Sequence, residues 1–201
     1  MEETLKLMLD LMMPEDHPQD DTEHHKAVRR QVERPINTTD DKEFTHEKVK
    51  QVIEGFKSKE APGPNGNTNE ILKLIFKAMS KTMTALYNEC LRKGCFSENW
   101  KIAKILPIIV PGKEYISDPS KYRTISRLNT EGKVLEKLLI RRIMHYLYKT
   151  DFLNNNQYGF TPQKSTVDAA MEVRQFIELQ LERRGVVITA NLDVKGAFGL
   201  P

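Results

Sequence analysis

Between Ala61 and Gly66 the chain reads Ala-Pro-Gly-Pro-Asn-Gly, and no other stretch restricts its fold so sharply. Proline removes a backbone donor and glycine opens left-handed conformations, so neither a helix nor a central strand can run through 62–66. The chain must turn there. On both sides of the turn the pattern is helical. Thr45 is placed to cap a helix over 45–57, with Val49, Val52, Ile53 and Phe56 at helical spacing. A second helix is predicted over 69–92, with Leu72, Ile75, Phe76, Met79, Met83, Leu86, Tyr87 and Cys90 on one broad face and Gly94 at its end.

The next segment changes period. Residues 102–110 form a β-rich run, Pro111-Gly112 is a turn, and Tyr122-Arg123-Thr124-Ile125-Ser126 is a second short strand, which predicts a hairpin over about 101–127. Helical spacing returns over 131–149, with Val134, Leu135, Leu138, Leu139, Ile143 and Leu147 inward. Lys133, Lys137 and Arg141 recur every fourth residue along one flank, which suits either a nucleic-acid backbone or a solvated face. A further helix over 166–184 starts at Ser165 or Thr166, turns Val167, Ala170, Met171, Ile177 and Leu181 inward, and is broken by Gly185. The last segment, 186–193, reads as a strand. Val186, Ile188, Ala190 and Leu192 share one face, and Val187, Thr189, Asn191 and Asp193 the other. Asp193 therefore emerges at a strand end on an open polar face, where a carboxylate holds a divalent metal against phosphate or caps a turn.

Composition narrows the class. A chain of 201 residues with 39% hydrophobic content supports one core, or one core with a tail. Its mean hydropathy of −0.54 is that of a polar, soluble chain. No run approaches the roughly 18 apolar residues of a membrane span, and residues 1–10 lack the long apolar block of a secretory signal. Cys90 and Cys95 cannot build a disulfide framework, so a reducing, intracellular setting, nuclear or cytoplasmic, is expected. The net charge of +3 hides an asymmetry: residues 1–30 carry eight acidic and four basic side chains, residues 121–150 eight basic and two acidic. The basic middle is a footprint for a polyanion. Ahead of it, Leu5, Leu7, Met8, Leu11 and Met12 form a short apolar helix candidate stopped by Pro14. The acidic stretch that follows, 15–25, reads as a tether in which His24 and His25 are solvated rather than metal-binding.

Four strings in order identify a family: Ala61-Pro62-Gly63-Pro64-Asn65-Gly66; Tyr122-Arg123-Thr124-Ile125-Ser126 with Asn129 just after; Gln157-Tyr158-Gly159-Phe160-Thr161-Pro162-Gln163-Lys164-Ser165-Thr166; and Leu192-Asp193-Val194-Lys195-Gly196-Ala197-Phe198. From about Phe44 to Phe198 the sequence resembles the reverse transcriptases of non-LTR (LINE-type) retrotransposons, most closely the arthropod type-1 retrotransposable element polyproteins. The resemblance implies an α+β fold, the fingers and start of the palm of a right-hand polymerase. It also implies a division into an acidic lead-in (1–40), a fingers region (41–185) and a first palm strand (186–201).

The resemblance further assigns roles. Asp193, with Val194 beside it, matches the first catalytic and metal-binding position, which takes Mg2+ in the family. Phe198 matches the steric gate that favours deoxynucleotides, and Lys113 and Arg123 match the basic residues that grip the incoming triphosphate. Without the motif, Arg123 would read as one arm of a surface salt bridge. Gln157, Gly159 and Phe160 resemble the segment near the template, although Phe160 equally suits a core position. The implied partners are an RNA template, a DNA primer, deoxynucleotides and the rest of the polyprotein, with no membrane.

The chain departs from the family at Asn65 (usually Asp), Thr124 (usually Pro), Arg127 (usually Leu) and Gly199 (usually Asp). It also contains no Tyr/Phe-Ala-Asp-Asp box, which supplies the other carboxylates. The expectation is a polymerase fragment, truncated before that box and inactive alone, whose strand at 186–192 is an unpaired edge. A non-catalytic nucleic-acid-binding remnant and a helical interaction protein are the alternatives.

Overall fold

The computed structural model describes residues 6, 17–32, 41–110, 112 and 121–193. The expected helix around Leu5 to Met12 lies outside them, apart from Lys6. In order, the described elements are α1 (Glu23–Val32), α2 (His46–Glu54), α3 (Asn69–Lys93), α4 (Glu98–Lys101), β1 (Ala103–Ile109), β2 (Tyr122–Leu128), α5 (Thr130–Lys149) and α6 (Thr166–Glu182). The strands pair antiparallel as the hairpin expected from the change in period, with Ala103 opposite Leu128 and Ile109 opposite Tyr122. Helices with one small sheet make an α+β chain. Its described part divides into two units that meet within α5, between Ile140 and Arg141.

The first unit holds the core. Phe44, Val49, Val52 and Ile53 pack with Leu72, Phe76, Met83, Tyr87 and Cys90 of α3 and with Val134, Leu135 and Leu138 of α5. Each helix is closed by local chemistry. The Thr45 hydroxyl accepts from Lys48 N at 3.3 Å, as the capping reading required. Gly94 ends α3 in the left-handed region at φ +59, where its N–H reaches Leu91 O at 3.1 Å and the next N–H reaches Cys90 O at 3.0 Å. The inward face of α3 is narrower than expected: Ile75, Met79 and Leu86 are exposed. Met79 itself stands at a kink (φ −131, ψ 36), while Leu72, Phe76, Met83, Tyr87 and Cys90 keep helical spacing on either side of it.

The 62–66 turn is seated on the corner between β2 and α5. A Cβ on Gly63 would stand 2.5 Å from Leu128 O and 2.7 Å from Asn129 Cα, so only glycine allows this approach. Asn65 N donates to Asn129 Oδ1 at 3.0 Å, and the Asn65 and Asn67 side-chain amides donate to the two Glu131 carboxylate oxygens at 3.0 and 2.7 Å. Buried Asn129 donates in turn to Asn99 O at 2.7 Å, and Thr130 Oγ1 to Asn67 O at 2.9 Å. This clasp accounts for the departure at position 65. An aspartate there would set a second carboxylate against Glu131, whereas the asparagine amide is a donor to it.

Two elements were not legible in the sequence. Helix α1 lies where a tether was expected; it has Arg29 Nε donating to Asp21 Oδ2 at 2.5 Å just outside its start. The short α4 carries Trp100, which lies against Tyr87 with ring centroids 5.9 Å apart.

In the second unit the expected inward face of α6 is corrected. Val167, Ala170, Met171 and Leu181 are exposed and only Ile177 is half-buried, because no described element covers them. Ile143 of α5 is likewise exposed. Helix α6 ends at Glu182, and the left-handed position beyond it is taken by Arg184 at φ +56 rather than by Gly185. The expected strand at 186–192 makes no ladder among the described residues, and Val186, Ile188 and Leu192 are 88–98% exposed rather than packed on one face. A strand needs a neighbour to satisfy its backbone, and no such partner is present in the described chain.

Candidate nucleic-acid interface

The hairpin register decides which side chains share a face, because residues directly opposite in an antiparallel pair project to the same side. Arg123 stands opposite Ile108, Ile125 opposite Leu106, and Arg127 opposite Lys104. One face of the ribbon therefore carries three cations interleaved with three aliphatic residues. Arg123 and Lys104 are exposed, and Arg127 is half-buried. Neither strand contains an acidic residue. Thr124 lies opposite Pro107, so a proline sits on the facing strand at the position where the family usually places one on this strand.

Lys133 and Lys137 project from α5 in the first unit, both half-buried. Lys137 Nζ sits 4.9 Å from the centroid of the Phe56 ring, a cation–π contact that packs its stem against the edge of the core. Arg141, one turn on, is exposed and belongs to the second unit.

In that unit the 151–165 loop is tied by its own hydrogen bonds. Gln157 Nε2 donates to Gly159 O at 2.8 Å, Thr161 Oγ1 reaches the same carbonyl at 3.3 Å, and the Lys164 ammonium donates to Asn155 O while lying 4.9 Å from the Tyr158 ring centroid. Phe160 is not a core residue: at φ +57 it is thrown outward and is 99% exposed. Asp193 is exposed and outside any helix or ladder. Lys113, Val194, Phe198 and Gly199 lie outside the described residues.

Clefts exist elsewhere. One of about 440 Å³ is lined by Glu43, His46, Lys81, Asn88, Glu89 and Arg92, and another of about 580 Å³ by Tyr158, Asp168, Met171, Glu172, Arg174 and Glu178. Their charges are largely matched internally, as Glu89 binds Arg92 at 2.5 Å and Arg174 binds Glu178 at 2.7 Å. None of the described site residues expected from the sequence lines either cleft. Among the described residues no group of three or more His, Cys, Asp or Glu stands together to hold a metal ion. Asp193 brings one carboxylate, and a two-metal centre needs several to offset two cations, so the described residues do not fit such a centre. No helix among them is long and apolar enough to cross a membrane.

Of the expected site, the ribbon unites Arg123 with two residues that sequence reasoning did not assign. Arg127 stood out only as a departure, and Lys104 was not singled out. The alternation of both strands was readable, but the register that sets Lys104 against Arg127 was not.

An exposed basic ribbon has the charge that suits a polyanion, and similarity to known proteins narrows the class. The chain is 32% identical over 152 residues to the Retrovirus-related Pol polyprotein from type-1 retrotransposable element R1 of Bradysia coprophila, which covers 76% of this chain. It is 31% identical over 154 residues to the RNA-directed DNA polymerase from mobile element jockey of Drosophila funebris. The probable RNA-directed DNA polymerase from transposon BS of Drosophila melanogaster is 30% identical over 154 residues. These alignments cover 77% and 75% of the chain. No family model matches. The chain is a homologue of the RNA-directed DNA polymerases of non-LTR retrotransposable elements, and it spans only 15–17% of the length of these relatives.

Proposed function

We propose that this chain is the nucleotide- and template-gripping fingers of an RNA-directed DNA polymerase, together with the first catalytic carboxylate, and that it does not polymerise by itself. The observation that carries the reading is the similarity to named RNA-directed DNA polymerases over three quarters of the chain. The exposed ribbon that presents Arg123 supports it, since a guanidinium free to rotate in solvent is a bidentate ligand for phosphate.

In this reading Arg123 and Lys113 take the triphosphate of a deoxynucleotide. Lys133, Lys137 and Arg141 follow the backbone of a template–primer duplex, with Lys137 positioned by Phe56. Gln157, Gly159 and the outward Phe160 meet the template, where an exposed aromatic ring is a stacking surface for a base. Phe198 crowds a ribose 2′-hydroxyl. Asp193 contributes one carboxylate toward Mg2+, and the remaining donors come from other parts of the polymerase. The partners are an RNA template, a DNA primer and the rest of a polyprotein, in the nucleus or cytoplasm.

The test is binding of an RNA–DNA hybrid by the 201-residue chain at rising salt, beside primer extension on an RNA template with magnesium. Affinity should fall steeply with salt, each neutralised phosphate contact adding roughly 0.9 to the log–log slope. Arg123→Ala with Lys137→Ala should remove most of it. Extension should be undetectable. Salt-independent affinity, or polymerisation by the chain alone, would overturn the reading.

A further inference from the structure

We propose that the ribbon face carrying Lys104, Arg123 and Arg127 binds a single-stranded polynucleotide, and that Arg127 with Lys104 forms a phosphate subsite separate from Arg123. This rests on the nucleic-acid-binding reading above and extends it to two residues that reading does not use.

Three features of the ribbon carry the inference. Lys104 and Arg127 are direct cross-strand partners, and like charges set opposite each other destabilise a two-stranded ribbon. Neither strand supplies an acid, and none of the three cationic side chains has a hydrogen bond or ion pair among the described residues. An anion between Lys104 and Arg127 would turn the repulsion into a bridge. Arg123 and Arg127 are four residues apart on one strand face, a separation of about 13 Å. One phosphate cannot span that distance, so the two ends of the face call for a ligand with several phosphates in line. Finally, the Ile125–Leu106 pair lies between the two charged levels, and Ile125 and Ile108, which faces Arg123, are 47% and 48% exposed. Charge and apolar surface alternate along the face as phosphate and base alternate along a single strand. An acidic peptide would satisfy the cations and leave the aliphatic positions unused.

The test measures anisotropy of a labelled oligoribonucleotide on the 201-residue chain, with thermal melting of each variant. Arg127→Leu and Lys104→Gln should each weaken binding several-fold at low salt and lower the log–log salt slope by about 0.7. Arg127→Lys should keep most of the affinity, and Arg174→Gln on α6 should leave it unchanged. Arg127→Leu should also melt about 1–2 °C higher, because it relieves the opposed charges. A residue with a merely structural role would not lose binding while gaining stability. If Arg123→Ala abolishes binding while Arg127→Leu and Lys104→Gln leave it intact, the subsite is wrong and the fingers reading stands. If the unmodified chain binds no nucleic acid, both fall. Equal competition by poly-glutamate, or saturation of Lys104 and Arg127 by a nucleoside triphosphate alone, would overturn the polynucleotide assignment.

Discussion

Residues 44–140 and 141–193 are written in the same amphipathic pattern and are stabilised in different ways. The first stretch buries twelve apolar side chains in one core. Along the second, not one side chain is buried, although α6 offers Val167, Met171, Val173, Phe176 and Leu181. What holds α6 is local. The Ser165 hydroxyl accepts from Asp168 N at 3.2 Å while the Asp168 carboxylate accepts from Ser165 N at 2.8 Å, a reciprocal cap. Periodicity thus announces that a helix has an apolar face without saying what covers it, and caps can define a helix that burial does not anchor.

The largest effect expected from this contrast is a pair of truncations. Leu135 is 2% exposed in the first unit, so Leu135→Ala should cost about 3 kcal/mol, the transfer loss plus a cavity. Phe176 is 56% exposed, and Phe176→Ala should change stability by less than about 0.5 kcal/mol. Urea unfolding followed by the single tryptophan, Trp100, reads the first, and far-ultraviolet dichroism reads the second. Equal losses at both positions would mean that the second unit has a core after all.

Next is the seat of the 62–66 turn. A methyl at Gly63 would meet backbone atoms of Leu128 and Asn129, which have no flexible end to yield. Gly63→Ala should therefore destabilise the first unit by about 2 kcal/mol, with a matching fall in the urea midpoint. The neighbouring clasp gives a smaller effect. Asn65→Asp removes a donor to Glu131 and opposes two carboxylates, for about 1 kcal/mol at neutral pH. Adding Glu131→Gln should restore most of it, since the new amide donates to the carboxylate introduced at position 65 and its oxygen still accepts from Asn67. Additive losses in that double-mutant cycle would show that the two positions are not coupled.

How much of this was legible follows from the range of the interaction involved. The caps at Thr45 and Ser165 and the Gly94 stop depend on residues a few positions apart, and the sequence shows them, while the hairpin shows in the change of period along each strand. The Asn65–Glu131 clasp joins residues 66 positions apart, and nothing local marks it. The same limit applies to the interface. Arg123 was singled out by its motif, whereas the placing of Arg127 beside Lys104 on the same face needs the strand register, and the exposure of Phe160 needs its backbone angle. Helix α1 was missed because a polar helix held by ion pairs has no apolar period to read. The expected strand at 186–192 shows the converse: its alternation is present and its partner is not.

A smaller prediction compares two helix ends with the same hydrogen bonds. At α3 the left-handed position is Gly94, and at α6 it is Arg184, with Gly185 N reaching Gln180 O at 2.8 Å and Arg184 N reaching Leu181 O at 2.9 Å. A non-glycine residue in that conformation carries roughly 1 kcal/mol of strain. Arg184→Gly should accordingly stabilise α6 by about 0.5–1 kcal/mol, whereas Gly94→Ala should destabilise α3 by about 1 kcal/mol. Amide exchange in the last turn of each helix measures both. Slower exchange in α3 after Gly94→Ala would contradict the account.

The smallest effect separates the two regions by acid. The Glu89 carboxyl is drawn down to about 2, first by its hydrogen bond from Arg92 and then by that from Lys93. Asp168 is lowered from its ordinary 3.8, chiefly by the Ser165 hydroxyl and then by the Ser165 backbone N–H. Both folded values lie below the unfolded ones, so each group stabilises its helix above the ordinary carboxylate range and loses that contribution as pH falls through its folded value. Asp168 is exposed and Glu89 half-buried at the surface, in reach of solvent, which keeps the effects small. They differ in what remains afterwards. Protonating Glu89 releases Arg92 and Lys93 on the surface of α3, whose register is still fixed by Leu72, Phe76 and Tyr87 in the core. Protonating Asp168 weakens the cap of a helix with no buried face, so the first turn of α6 should fray. Amide protection factors should therefore fall between pH 5 and 2 at Ala169 and its neighbours well before they do at Tyr87. Ser165→Ala should bring the fraying of α6 to neutral pH, and Glu89→Gln should leave α6 unchanged. Simultaneous loss of protection at both helices would mean that the second unit is anchored as firmly as the first.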